Sequence, residues 1–248
     1  MRPHRKPNKI NKLILLCFIA AGLSACGADI TPDEYVARAI EQQSKGDVNS
    51  AVIELKNALQ KAPRHQEARY LLGTLYLEQG ALISAEKEFY RAIDYGVERS
   101  AVAVPLARTL LAQGKLQELL DSTEGLSFTS TYTQANVLAL KGQAYLGLAR
   151  LEAAGQLYDQ SLLLDKENAE AKTGLAQLAI VENQDDVARQ YITAVLKRTP
   201  DFAFAQSMLG LIERRANNLE AAEQAYRSAA QHPIYRIPRY NLVLSLFS

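Results

Sequence analysis

Cysteine, histidine and paired carboxylates are the side chains here that could carry covalent, metal or acid–base chemistry, and their spacing restricts all three. Both cysteines, Cys17 and Cys26, lie in the first 26 of 248 residues. Whatever follows them has no thiol nucleophile, no thiolate metal ligand and no disulfide framework. Two histidines remain beyond that point, His65 after Pro63 and His232 before Pro233, far apart and without a regularly spaced acidic partner. Each reads as a solvated turn histidine and not as a metal ligand or general base. The acidic pairs are Glu86 with Glu88, Asp185 with Asp186, and Glu220 with Glu223. Glycoside hydrolysis needs two carboxylates facing one another across a cleft, whereas residues two apart on a helix point to different faces. Asp185 and Asp186 open a helix, where carboxylates cap amides and meet the favourable end of the dipole. No GxSxG, HExxH, phosphate-cradling glycine loop or dinucleotide fingerprint occurs. No catalytic residue, metal or cofactor is expected.

The elements before Cys26 explain why the two cysteines sit where they do. Residues 1–12 carry five basic side chains, and residues 13–22 (LILLCFIAAG) form a ten-residue apolar run. Such a run rises ~15 Å as a helix, half of a ~30 Å hydrocarbon core, so it reads as a signal segment and not a membrane span. The following Leu23-Ser24-Ala25-Cys26 resembles the lipobox of bacterial lipoproteins. That resemblance implies a signal peptide over 1–25, acylation of Cys26, a short lipidated tether over 26–31, and loss of Cys17 with the peptide. Lipid chains contribute ~0.8 kcal/mol per buried CH₂, so two or three of them hold a protein on a membrane. Gly27 stands where many inner-membrane lipoproteins carry aspartate, which favours the outer membrane by the same resemblance. The formal charge is +1, but without the five basic residues of the leader it is 23 basic against 27 acidic, or −4. A mildly acidic body without a basic run gives no support for nucleic-acid binding.

The rest of the chain is self-similar at a period of 34, with units opening at Pro32, Gln66, Ser100, Ala135, Ala169 and Ala203 and a seventh at Ile237. The eighth position reads Ala39, Gly73, Ala107, Gly142, Ala176 and Gly210. The twentieth reads Ala51, Ala85, Leu119, Ala154, Ala188 and Ala222, and the twenty-fourth Leu55, Phe89, Thr123, Tyr158, Ile192 and Tyr226. Antiparallel helices approach closely only where small residues meet, and bulky neighbours fill the flanking space. Gly46, Gly80 and Gly114 fall between the halves of their units, where a turn needs a permissive backbone. Unit 3 departs from the pattern at Leu119 and Thr123, and residues 127–133 after it should form a loose Ser/Thr-rich corner.

These residues resemble the tetratricopeptide repeat, best in unit 2 with Leu72-Gly73, Tyr76, Ala85, Phe89 and Ala92. The resemblance covers 32–248 and implies an all-α solenoid of about six repeats plus one further helix, coiled as a right-handed superhelix of antiparallel helix pairs. A narrower likeness, carried by KGDVNSAVIELKNALQKAP, LLGTLYLEQGALISAEKEFYRAIDYG and RTLLAQGKLQELLD, is to the start of the TPR-repeat lipoproteins of the exosortase/PEP-CTERM system. It implies a role in cell-surface or exopolysaccharide assembly, with this chain matching the front of longer arrays.

In tetratricopeptide proteins positions 2, 5, 9, 12 and 13 face the inner groove. Carried onto this chain, that rule nominates Tyr70, Thr74, Arg108, Gln143, Gln177, Arg214 and Arg215 as partner-binding candidates. The clamp that relatives use on a terminal carboxylate needs Lys at position 5 and Asn at 9, and neither occurs. A protein or peptide partner in the cell envelope is expected, through a scaffold and not an enzyme. A pilotin-like assembly or secretion accessory is the alternative. The segment after Pro238 offers Leu242, Val243, Leu244, Leu246 and Phe247 with little polar relief. It implies a longer array, or burial of this end in a partner or a second copy.

Overall fold

Helix boundaries fall where the 34-residue register puts them. The computed structural model describes residues 30–231. Among these, twelve helices and no strand form six consecutive pairs: α1 (Pro32–Ser44) with α2 (Val48–Lys61), α3 (Gln66–Glu78) with α4 (Leu82–Asp94), and α5 (Arg99–Gln113) with α6 (Leu116–Thr123). The other three pairs are α7 (Thr131–Gly147) with α8 (Leu151–Leu164), α9 (Ala169–Val181) with α10 (Asp185–Arg198), and α11 (Ala203–Arg215) with α12 (Leu219–Ala230). The signal segment, Cys26 and most of the tether, His232 and the seventh-unit helix lie outside the described residues. Among the described residues no helix is long and apolar enough to cross a membrane.

Starts are written into the sequence as caps. Thr31 and Glu34 form a capping box at α1, Asp47 accepts from Ser50 N–H at α2, and Asn168 accepts from Ala171 N–H at α9. His65 is not a solvated turn residue. It is the N-cap of α3, where Nδ1 accepts from Ala68 N–H at 3.2 Å and Nε2 lies 2.8 Å from Asp33 Oδ1. With Nδ1 accepting, Nε2 carries the proton that bonds Asp33, so the neutral ring ties α3 to α1.

The turn inside every unit uses the left-handed backbone. Position 15 has φ near +79° at Gly46, +73° at Gly80 and Gly114, and then +59° at Ala149, +60° at Asn183 and +63° at Asn217. Glycine enters that region without penalty and the three later residues do not.

Packing follows the small–large rule. A Cβ added at Gly73 would stand 2.7 Å from the Phe89 ring, one at Gly142 2.5 Å from Tyr158, and one at Gly210 2.7 Å from Tyr226. Each glycine thus admits the aromatic ring of its own unit's second helix. Tyr158 does double duty, because its other contact is Gly174 of the next unit. Ala85, Phe89 and Tyr158 have no exposed surface. Successive first helices also touch, α5 with α7, α7 with α9 and α9 with α11, which places first helices along one continuous face.

Unit 3 is shortened as its sequence implied. Its second helix has eight residues against twelve to fourteen in the other second helices. Leu119 nevertheless fills the small-residue position with no exposed surface, and the buried Thr123 hydroxyl bonds the Leu119 carbonyl of its own helix. The loose corner is shorter than expected. Ser130 caps α7 by accepting from Thr133 N–H at 3.2 Å, so residues 131–133 already form its first turn.

Candidate partner-binding groove

A groove of about 790 Å³ runs along the first-helix face from unit 2 to unit 6. Tyr70, Thr74 and Leu77 of α3 form one wall, and Val104, Pro105 and Arg108 of α5 the next strip. Asn136, Leu140 and Gln143 of α7 follow, and the far wall is Asp201, Phe202 and Phe204 where α11 begins. Phe202 and Phe204 pack edge to face with centroids 6.4 Å apart, and Tyr132 at the start of α7 stands 66% exposed on the rim. Such a mixture of apolar, aromatic and amide side chains in a concave, largely preformed surface is what ligand clefts present.

Four of the seven candidates are therefore brought together: Tyr70, Thr74, Arg108 and Gln143 all line the groove. Gln177 does not. It is 1% exposed and sinks into the core of unit 5, where its Nε2 finds no partner among the described residues. Arg214 and Arg215 are also elsewhere. Arg214 borders a shallow dent on α12 with Leu219 and Tyr226, and Arg215 bonds Asp185 and Asn183 at the turn end of unit 5. Position 9 thus lines the groove in units 2 to 4 and is buried in unit 5, while positions 12 and 13 of unit 6 lie on another surface.

Sequence reasoning missed Glu170, Phe204, Tyr132, Asp201 and Phe202. The first two stand at position 2, as do the lining residues Ala101 and Asn136, and that column would have found them. Of the other three, Asp201 and Phe202 precede α11 and Tyr132 lies in the first turn of α7 ahead of Ala135, positions that the groove rule does not cover. Glu170 is the residue that meets Arg108, 62 positions away in the chain, and this pair spans α7. Asn136 is also spoken for: it donates to the Tyr132 carbonyl and accepts from Asn168, itself 2% exposed. Gln143, by contrast, is 8% exposed and makes no side-chain hydrogen bond among the described residues.

Four of the six carboxylates in the acidic pairs are taken up in ion pairs. Glu86 meets Lys115 of the next unit at 2.5 Å and accepts from Gln113 at 2.6 Å, a contact that raises the Lys115 pKa. Glu88 points the other way, 2.5 Å from Arg69 and 3.3 Å from Arg91, with Arg69 and Glu88 both buried. Asp185 does not cap its helix. It reaches across to Arg215 at 2.9 Å, while the N-cap residue Gln184 makes no side-chain cap bond. Glu223 pairs with Arg227 on its own helix. Hydrogen bonds from Arg189 and then Asn218 hold the Glu213 carboxyl below the usual range. Among the described residues no group of three or more His, Cys, Asp or Glu is placed to hold a metal ion.

The sequence pattern described as Tetratricopeptide repeat matches residues 36–101, 139–201 and 186–235. The stretch it leaves between them is unit 3, with its shortened second helix. Solved structures share the architecture. That of Pseudomonas aeruginosa pilF is 18% identical over 78% of this chain and 88% of its own, with a TM-score of 0.57. PilW, described as a widely conserved type IV pilus biogenesis factor, is 16% identical over 80% of this chain and 91% of its own, also at 0.57. A chain of the APC/C hetero-tetramer Cut9–Hcn1 covers 97% of this one at 15% identity and a TM-score of 0.65, over 46% of its own length. No curated protein matches in sequence. At these identities the likeness is one of fold.

Proposed function

The chain belongs to the tetratricopeptide repeat family, and on that footing we propose that it is a lipid-anchored interaction scaffold of the bacterial cell envelope whose inner groove receives a protein or peptide segment. The observation that carries this is the groove itself: a concave surface shared by five units, lined with aromatic, apolar and amide groups and without a set of reacting side chains. Stacked helical repeats of this kind use such extended concave surfaces for binding. Anchoring rests on the leader and on Leu23-Ser24-Ala25-Cys26, with Gly27 favouring the outer membrane. Exopolysaccharide assembly of the exosortase/PEP-CTERM kind rests on the segments that resemble those lipoproteins. A pilotin-like accessory role is the second reading. It draws on a pilus biogenesis factor having the same fold, a likeness that carries no partner with it. The apolar residues after Pro238 support association with a second copy as part of the same proposal.

A photo-crosslinking amino acid at Thr74 or Gln143, in cells, tests the groove. Adducts expected there should be absent from Ile83, which is 80% exposed on a second helix. Labelling at Ile83 but at neither groove position would overturn the reading, and the identity of the adduct separates polysaccharide machinery from secretion parts. Cys26→Ala should move the protein to the soluble periplasmic fraction with its leader uncleaved. A processed, membrane-held variant would end the anchor proposal.

A further inference from the structure

We infer that the groove selects a cationic segment: an extended stretch of a partner protein with lysine or arginine beside an apolar or aromatic residue. The inference rests on the groove being the binding surface and adds the chemistry of what enters it. Four charged side chains line it, the carboxylates of Glu78, Glu170 and Asp201 and the single guanidinium of Arg108. That guanidinium is already engaged by Glu170, so the one cation lining the groove among the described residues is paired from within. Asp201 is exposed at the far wall, beside the ring of Phe202, and among the described residues no cation pairs with it. An incoming ammonium or guanidinium thus finds a carboxylate and an aromatic face together. Tyr132 offers a second exposed ring across α7, and cations favour such faces most when they leave water. Gln143 lines the groove on α7 and, with no hydrogen-bond partner among the described residues, can bond the backbone of an extended segment lying there. An acidic segment meets like charge and gains nothing from Arg108, whose fork Glu170 holds. The surface is thus opposite in sign to a clamp that captures a terminal carboxylate.

Three short fluorescent peptides with the same Tyr and Leu residues, carrying two Lys, two Gln or two Glu, are titrated into the full detergent-solubilised chain and followed by anisotropy. The Lys peptide should bind about tenfold or more tighter than the Gln peptide, with affinity falling as salt rises. Asp201→Asn should weaken the Lys peptide roughly three- to tenfold and leave the Gln peptide unchanged. Arg108→Gln should tighten it by a similar factor, since Glu170 is released to the ligand; a merely structural role for Arg108 would weaken all three alike. Circular dichroism checks that both variants are folded. Equal affinities for the three peptides, or preference for the Glu peptide, would overturn the charge assignment and leave the groove standing. Binding of none of them, with no crosslinks from Thr74 or Gln143, would remove both.

Discussion

Gly142→Ala should destabilise the array, and removing the Tyr158 ring should turn the same substitution into a gain. The new methyl would stand 2.5 Å from one Tyr158 ring carbon and 2.8 Å from the next. The ring cannot retreat, because its outer atoms already press on the α9 backbone at Gly174 and it has no exposed surface. Overpacking a filled core costs ~1–3 kcal/mol, and the helix propensity of alanine over glycine returns up to ~1 kcal/mol. A net loss of about 1–2 kcal/mol follows, which is a fall of roughly 2–8 °C in melting temperature for a chain of this size. In a Tyr158→Leu background the methyl no longer meets the ring, so Gly142→Ala should become neutral or stabilise by up to ~1 kcal/mol. The coupling between the two sites is then about 2 kcal/mol, within the range for residues in contact. Urea denaturation followed by far-ultraviolet circular dichroism gives all four corners. Gly155→Ala is the control: its methyl meets nothing nearer than Leu178 at 3.5 Å, so it should stabilise. If Gly142→Ala and Gly155→Ala moved the midpoint alike, or the effect of Gly142→Ala were the same with and without the ring, the close-approach argument would fail.

Ala149→Gly should stabilise by ~0.5–1 kcal/mol, because φ near +59° costs an L-residue ~1–2 kcal/mol and the freer unfolded chain takes back ~0.4–1. Thermal melts check this, and a lowered melting temperature would refute it. Glu213→Gln should cost ~1–2 kcal/mol at pH 7 through the bonds from Arg189 and Asn218, discounted for the part-exposed arginine. Because those bonds depress the folded pKa, the contribution is full above the unfolded glutamate value and is lost as pH falls through the lower folded one. The gap between variant and wild type in urea midpoints should therefore close in acid; a gap that widened there would reverse the assignment.

The fold was legible because it repeats. A small residue at position 8 with a bulky one at position 24 states a distance constraint five times, unit 3 excepted, and the rings do lie on the glycines. Site residues lacked that redundancy. Thr74, Arg108 and Gln143 were found because they share position 9 in units where that column faces inward, and Gln177 failed because in unit 5 the same column turns into the core. A template applied one unit at a time does not show which way a column faces in each unit. The buried pair Arg69 with Glu88 was equally hidden, since nineteen residues separate its members and neither type belongs in a core. Only placing α3 on α4 shows that each supplies the charge the other needs.

Unit 3 is where the array should open first. Isolated helices shorter than ~12 residues do not hold in water, so α6, with eight, depends on what it docks against. Two leucines, Leu119 and Leu120, are its buried apolar anchors, against Leu82, Ala85, Phe89 and Ala92 for α4. Its edges are pinned by polar bonds, Tyr90 Oη donating to Glu118 at 2.7 Å and Arg99 to the Ser122 carbonyl at 3.0 Å. The last turn also spends Ser122 and Thr123 hydroxyls on the Leu119 carbonyl, a local alternative that competes with helical geometry. The first helices do not depend on α6 for continuity, because α5 touches α7 directly and Arg108 ties α5 to α9 through Glu170. Local release of α6 is then possible without unzipping the stack, as expected of a structure whose stability is a sum of nearest-neighbour contributions. Hydrogen exchange should find the inner amides of α6 protected by at least ~1 kcal/mol less than those of α4, about fivefold faster exchange or more. Tyr90→Phe should speed exchange in α6 while leaving α8 and α10 unchanged. Protection in α6 equal to that in α4, or a Tyr90→Phe effect spread evenly over the array, would mean that the six units open together and that the short helix is no weak point.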